Sequence, residues 1–179
     1  MKATGVVRRI DDLGRIVIPK EIRRTMRIRE GDPLEIFTDK DGGVVFKKYS
    51  LMGGLSDFAG QMCETLSKLS GLTAVITDRD NTLSVSGASR RDLAERAVSE
   101  ELEKLMESRQ LYVYQPDQPQ LSVCRDSERY HITVCAPILS GGDVLGTVLF
   151  VSDTDNVVGE TEVKMIQTAA GFLSRHMEA

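Results

Sequence analysis

Apolar positions in the first fifty residues come in short, interrupted groups. Val6, Val7 and Ile10 sit among Thr4, Arg8 and Arg9, Asp11-Asp12-Leu13-Gly14 supplies turn chemistry, and the β-branched run Ile16-Val17-Ile18 follows. That pattern predicts strand, turn, strand. Pro19 presets the backbone of a first helical turn, and Ile22 and Met26, four apart, define one helix face with Arg23, Arg24 and Arg27 directed elsewhere. Gly31-Asp32-Pro33 ends this short helix, residues 34–38 read as a third strand, Asp41-Gly42-Gly43 as a tight turn and residues 44–49 as a fourth strand. The order is ββαββ. With few large apolar residues and no cysteine pair, its single-chain core would be marginal, so dimerisation is the expected remedy.

Further along, Leu55, Ala59, Met62, Leu66 and Leu69 alternate spacings of four and three between Gly53-Gly54 and Gly71, which predicts a linker helix within residues 51–70. Two heptads do not separate an inter-chain seam from a stripe that packs on its own domain. Residues 73–77 and 82–86 read as a hairpin about Asp78-Arg79-Asp80-Asn81. Ser89 and Asp92 make a capping box for a long helix bearing Leu93, Ala97, Val98, Leu102, Leu105 and Met106 on one face. Pro116 and Pro119 mark 115–120 as loop, residues 130–139 and 144–152 as strands joined across Ser140-Gly141-Gly142-Asp143, and residues 160–177 as a helix with Val163, Ile166, Ala170, Leu173 and Met177 in phase. The chain is therefore expected to be α+β, with a basic module at 1–50, a linker and oligomerisation helix at 51–70, and a domain with an antiparallel sheet at 71–179.

Charge sharpens this division. The 179 residues carry a net charge of -4, but residues 1–50 sum to +4 and residues 51–179 to -8. The excess lies before Gly31, where Lys2, Arg8, Arg9, Arg15, Lys20, Arg23, Arg24, Arg27 and Arg29 face Asp11, Asp12, Glu21 and Glu30. Seven of the nine bases are arginine, the side chain suited to bidentate phosphate and guanine contacts, so a polyanion partner is expected at one end of the chain. A solvated basic face is the plainer alternative.

Enzyme chemistry finds little support. His131 and His176 are the only histidines, no phosphate-binding glycine motif occurs, and Cys63, Cys124 and Cys135 are too few and too scattered for a disulfide scaffold or a zinc site. His131 reads as a strand residue, His176 as a cation near a helix C-terminus, and the cysteines as reduced thiols. No secretory signal or bilayer-length apolar run is evident, which predicts a cytoplasmic protein with no membrane partner. No metal or cofactor is expected.

The string MKATGVVRRIDDLGRIVIPKEIRRTMRIREGDPLEIF resembles the AbrB-type transition-state regulators, whose fingerprint of TG-V-R, D-LGR-V-IP-E-RR and GD-LEI it matches almost throughout. The resemblance implies a swapped-hairpin dimer and DNA-contacting arginines at Arg8, Arg15, Arg23 and Arg24; Arg9, at a position often Lys in the family, keeps its basic character. The string APILSGGDVLGTVLFVS resembles the closing hairpin of GAF domains, with Pro137, Gly142 and Gly146 at typical places. The Asn-Lys-Phe-Asp-Glu signature of cyclic-nucleotide GAF domains is absent. Together the two halves resemble the two-domain sporulation regulators of endospore-forming bacteria. Their implied role is that of a nucleoid-associated activator and repressor of late forespore genes, binding double-stranded DNA as a tetramer of two swapped dimers. An unidentified small-molecule effector at the GAF-like domain is compatible with this reading. The alternative is an antitoxin-like protein that sequesters a partner protein through a tail ordered only in the complex.

Overall fold

The computed structural model describes residues 5–87 and 90–178. It divides into two compact units, Met1–Tyr49 and Ser50–Ala179.

In the first unit, helix α1 (Lys20–Thr25) is followed by strands β1 (Leu34–Thr38) and β2 (Val44–Lys48), paired antiparallel with Leu34 opposite Lys48 and Ile36 opposite Phe46. The β1–β2 turn is held by Asp39, whose Oδ1 accepts from the Gly43 amide at 2.6 Å, while Gly42 takes the left-handed conformation at φ +80° that a side chain would resist. The two strands expected before α1 are not formed. Residues 6–10 and 15–18 leave the turn at Asp11–Gly14 without entering a ladder, because a strand exists only by pairing and no edge among the described residues pairs with them. Of the described residues 5–49, only Pro19 is buried.

The second unit is a six-stranded antiparallel sheet. A 3₁₀ turn (Leu51–Leu55) leads into α2 (Ser56–Ser70), then β3 (Thr73–Asp78), β4 (Thr82–Ser86), α3 (Arg90–Leu93), α4 (Glu100–Ser108), β5 (Tyr112–Val113), β6 (Ser122–Cys124), β7 (Ser127–Ser140), β8 (Asp143–Ser152) and α5 (Glu160–Met177). Strand order is β4-β3-β8-β7-β5, with β6 on β7. Alternation sorts the sheet into two faces. Ala74, Ile76, Val148 and Phe150 pack beneath α2 and α5, whereas Val75, Leu149 and Val151 pack with Leu93, Leu102 and Met106 of α3 and α4.

Three expectations change here. The helix expected as a linker is part of the second unit's core, with Ala59, Cys63 and Leu66 buried; of the proposed seam only Leu69, 74% exposed, lies fully outside. The α5 stripe is internal too, since Ile166, Ala170 and Leu173 are buried on the sheet. The single helix expected from residue 89 onward is two helices. Between them Glu95 takes φ +56°, and residues 96–98 run beside the β3–β4 turn and the start of β4, with the Thr82 amide donating to Arg96 O and the Val98 amide to Asp80 O, both at 2.9 Å. Ser99 then caps α4 by accepting from the Leu102 amide at 3.0 Å. Ser89, the cap expected from the sequence, lies outside the described residues.

Candidate nucleic-acid interface

The basic residues of the first unit lie on two pieces of local structure. The first is the turn at 11–14. Asp11 accepts through Oδ1 from the Leu13 amide at 3.0 Å and the Arg15 amide at 2.7 Å, and through Oδ2 from Arg15 Nε at 2.7 Å. The amides of Asp11 and Gly14 close the turn onto the carbonyls of Arg15 and Asp11, each at 3.0 Å, and Gly14 supplies the required positive φ of +76°. The Arg15 amide first, and its guanidinium second, hold the Asp11 carboxyl below its ordinary pKa. Arg8 and Arg9 lie exposed in the segment leading into this turn, outside any helix or strand.

The second piece is α1, begun by Pro19 and presenting Arg23 and Arg24, both exposed, in its last turn. Its end is fixed by tertiary contacts. Arg27 sits at φ +52°, the Ile28 amide donates to Arg23 O at 2.7 Å, and Lys48 of β2 donates to Arg27 O at 2.9 Å. Lys48 is also paired at 3.2 Å with Asp32, whose side chain is 4% exposed and accepts from the Arg29 amide at 2.8 Å. The β1–β2 hairpin thereby anchors the helix that carries Arg23 and Arg24.

Of the five arginines expected at the site, the structure ties Arg15 to its loop, sets Arg23 and Arg24 side by side on α1, and leaves Arg8 and Arg9 on open backbone. Sequence reasoning missed Asp11 and the Asp32–Lys48 tether. A carboxylate four residues before an arginine was the legible signal for the first; the second joins residues sixteen apart and has no local signal. Exposed apolar residues alternate with the basic ones along the sequence, with Val7 91% and Val17 70% exposed.

The second unit offers fewer chemical groups. Burial raises the Cys63 and Cys135 thiols to about 12 and Cys124 to about 11, so all three are protonated near neutral pH. No cluster of His, Cys, Asp and Glu suited to a metal occurs among the described residues. No helix among them is long and apolar enough to cross a membrane. His131 is 4% exposed, its ring is 5.1 Å from that of Tyr114, and its Nε2 has no hydrogen-bond partner among the described residues.

Residues 54–178 match the family described as stage V sporulation protein T C-terminal, transcription factor, and residues 7–51 match antidote-toxin recognition MazE, bacterial antitoxin. The chain is 49% identical over 180 residues to stage V sporulation protein T of Bacillus subtilis, covering 99% of both. It is 57% identical over 49 residues to the transition state regulatory protein AbrB of the same organism, covering 27% of this chain and 50% of that one. The GAF domain of an Acinetobacter phosphoenolpyruvate-protein phosphotransferase shares the fold of the second unit, with a TM-score of 0.54 at 11% identity over 73% of this chain and 84% of that one.

The full-length relative, the match to a transcription-factor family over residues 54–178 and the AbrB-like N-terminal unit mark a transcription factor rather than an enzyme. The chain belongs to the stage V sporulation protein T family.

Proposed function

We propose that the N-terminal unit binds double-stranded DNA sequence-specifically as half of an intertwined dimer, with Arg8, Arg9, Arg15, Arg23 and Arg24 as its contacts. The observation that carries this reading is the inverted character of residues 5–49: their apolar side chains are exposed or half-buried, Pro19 excepted, while Arg8, Arg9, Arg15, Arg23 and Arg24 stand exposed beside them. Val6, Ile10, Ile16 and Val17 lie in the two segments that found no ladder partner. Pairing them with the same segments of a second chain would bury the apolar set and satisfy the strand edges together. The arginines would then lie on a shared basic surface able to follow a phosphate backbone.

Membership of a sporulation family supports a role as activator and repressor of late genes on the forespore nucleoid, in the cytoplasm. The exposed Leu69 and the stack of Phe58, Phe172 and His176 along α2 and α5 support assembly of dimers into a tetramer through that outer face, not through the buried α5 stripe. An effector of small size at the GAF-type domain belongs to the same proposal, and native mass spectrometry of the purified chain would reveal it as retained mass. The antitoxin-like reading needs a tail that orders on its partner, whereas residues 50–178 hold a sheet with a core on each face.

The test is a salt titration of duplex binding by the full chain and by Arg15→Ala, Arg23→Ala and Arg24→Ala. Loss of a phosphate contact lowers the salt slope by about one unit, and loss of a base contact costs about 1–3 kcal/mol and relaxes sequence preference. Binding by all three variants that matches the parent across the titration would refute the assignment.

A further inference from the structure

Among the five arginines, Arg15 alone comes to the surface with its donor groups already divided. Its Nε is held by Asp11 Oδ2 at 2.7 Å, and Asp11 is itself fixed, because Oδ1 accepts the Leu13 and Arg15 amides at 3.0 and 2.7 Å. One carboxylate therefore sets both the turn and the plane of the guanidinium. No comparable ion pair holds Arg23 or Arg24 among the described residues. The Asp11–Arg15 pair is exposed and contributes little to stability, so its consequence is orientation.

A guanidinium can present a side-on fork, Nε with one terminal nitrogen, or an end-on fork of both terminal nitrogens. Asp11 occupies Nε and leaves the end-on fork. That fork fits the O6 and N7 acceptors of guanine in the major groove. A phosphate would meet the same fork beside a carboxylate that shares the charge of the guanidinium and repels a second anion; a guanine edge carries no net charge and meets no such opposition.

We propose that Asp11 is a positioning residue that turns Arg15 from a phosphate contact into a reader of guanine. The proposal rests on the N-terminal unit binding DNA, and assigns Arg15 sequence discrimination while Arg23 and Arg24 on α1 supply charge-driven affinity.

The test uses the full chain and two probes: a duplex selected from a randomised pool by the parent protein, and poly(dA-dT). Asp11→Asn keeps an Oδ1 acceptor for the turn amides but puts an amide donor where Arg15 Nε needs an acceptor. It should reduce the preference for the selected duplex over poly(dA-dT) by about tenfold, within the range a bidentate base contact supplies, without weakening poly(dA-dT) binding. Replacing one guanine of the selected duplex by 7-deazaguanine should weaken the parent by a similar factor and leave Arg15→Ala unaffected. Should Asp11→Asn unfold, Arg15→Lys carries the test: it keeps the charge, lacks the fork, and should lose preference while retaining most poly(dA-dT) affinity. Undiminished preference in Asp11→Asn, or in Arg15→Lys where that variant carries the test, overturns the proposal. So does equal sensitivity of parent and Arg15→Ala to every 7-deazaguanine. If Arg15→Ala instead binds both probes as the parent does, the DNA assignment of Arg15 itself has failed; if it weakens both equally, only the positioning role has.

Discussion

Lys48→Met acts from the β1–β2 hairpin on α1, the helix that carries Arg23 and Arg24. Lys48 Nζ lies 3.2 Å from Asp32 Oδ2 and donates to Arg27 O at 2.9 Å, so methionine keeps the stem and removes the tether between β2 and the end of α1. Breaking a buried ion pair by losing one partner costs about 3–5 kcal/mol. Here the Lys48 side chain is 23% exposed and Asp32 keeps the Arg29 amide, so about 1–3 kcal/mol is expected. Arg27 in turn holds a left-handed backbone that costs a non-glycine residue about 1 kcal/mol or more and persists because its surroundings fix it. Loosening it shifts Arg23 and Arg24 on the preceding turn. Hydrogen exchange of the full chain should show amides of residues 20–49 opening about 5- to 150-fold more often for about 1–3 kcal/mol, with residues 56–70 unchanged. DNA affinity should fall in the same preparation. Asp32→Asn, which retains an acceptor for the Arg29 amide, should produce the smaller effect. Unaltered exchange over 20–49, or an equal rise over 56–70, would refute the tether.

Burial lowers the His131 pKa below its ordinary 6.5, opposed by Asp155 and Asp153. Below 6.5 the unfolded chain then binds the proton before the folded one does, so stability is lost as pH is lowered from 6.5 to the folded pKa, by at most about 1.4 kcal/mol per pH unit. Urea titrations followed by tyrosine fluorescence, with three of the four tyrosines in the second unit, should show that slope and its loss in His131→Gln. Leu173→Ala should cost about 3–5 kcal/mol in the same titration without altering assembly in light scattering, because the side chain is fully buried in its own domain. In Gly146→Ala the new Cβ would stand 1.9 Å from Thr77 O across the β3–β8 ladder, and a loss of about 3 kcal/mol is expected in the urea midpoint.

What was legible in the sequence is what repeats over many residues. The α5 helix shows five apolar side chains in phase, and the β7–β8 hairpin two apolar runs about a double glycine, so neither needs tertiary information. The stripe through Leu93, Val98, Leu102 and Met106 correctly marks buried positions, yet it is carried by two helices and a bridge, since helical spacing does not reveal that residues 96–98 bond to the β3–β4 turn. Strands β5 and β6, of two and three residues, exist only because β7 is long enough to pair with both. Periodicity told which residues of α2 and α5 are apolar but not that the partner face belongs to the same chain. The arginines of the candidate interface stood out through charge and through family resemblance. Asp11 left only a local trace, a carboxylate four residues before Arg15, and the Asp32–Lys48 tether emerged from distances alone.

Photo-crosslinking of the full chain to a duplex containing 5-iodouracil, with the linked peptides mapped by mass spectrometry, asks most directly where DNA is held. Crosslinks are expected within residues 5–27, reduced together by Arg15→Ala and Arg24→Ala. Crosslinks confined to residues 50–178, with none before residue 30, would contradict it.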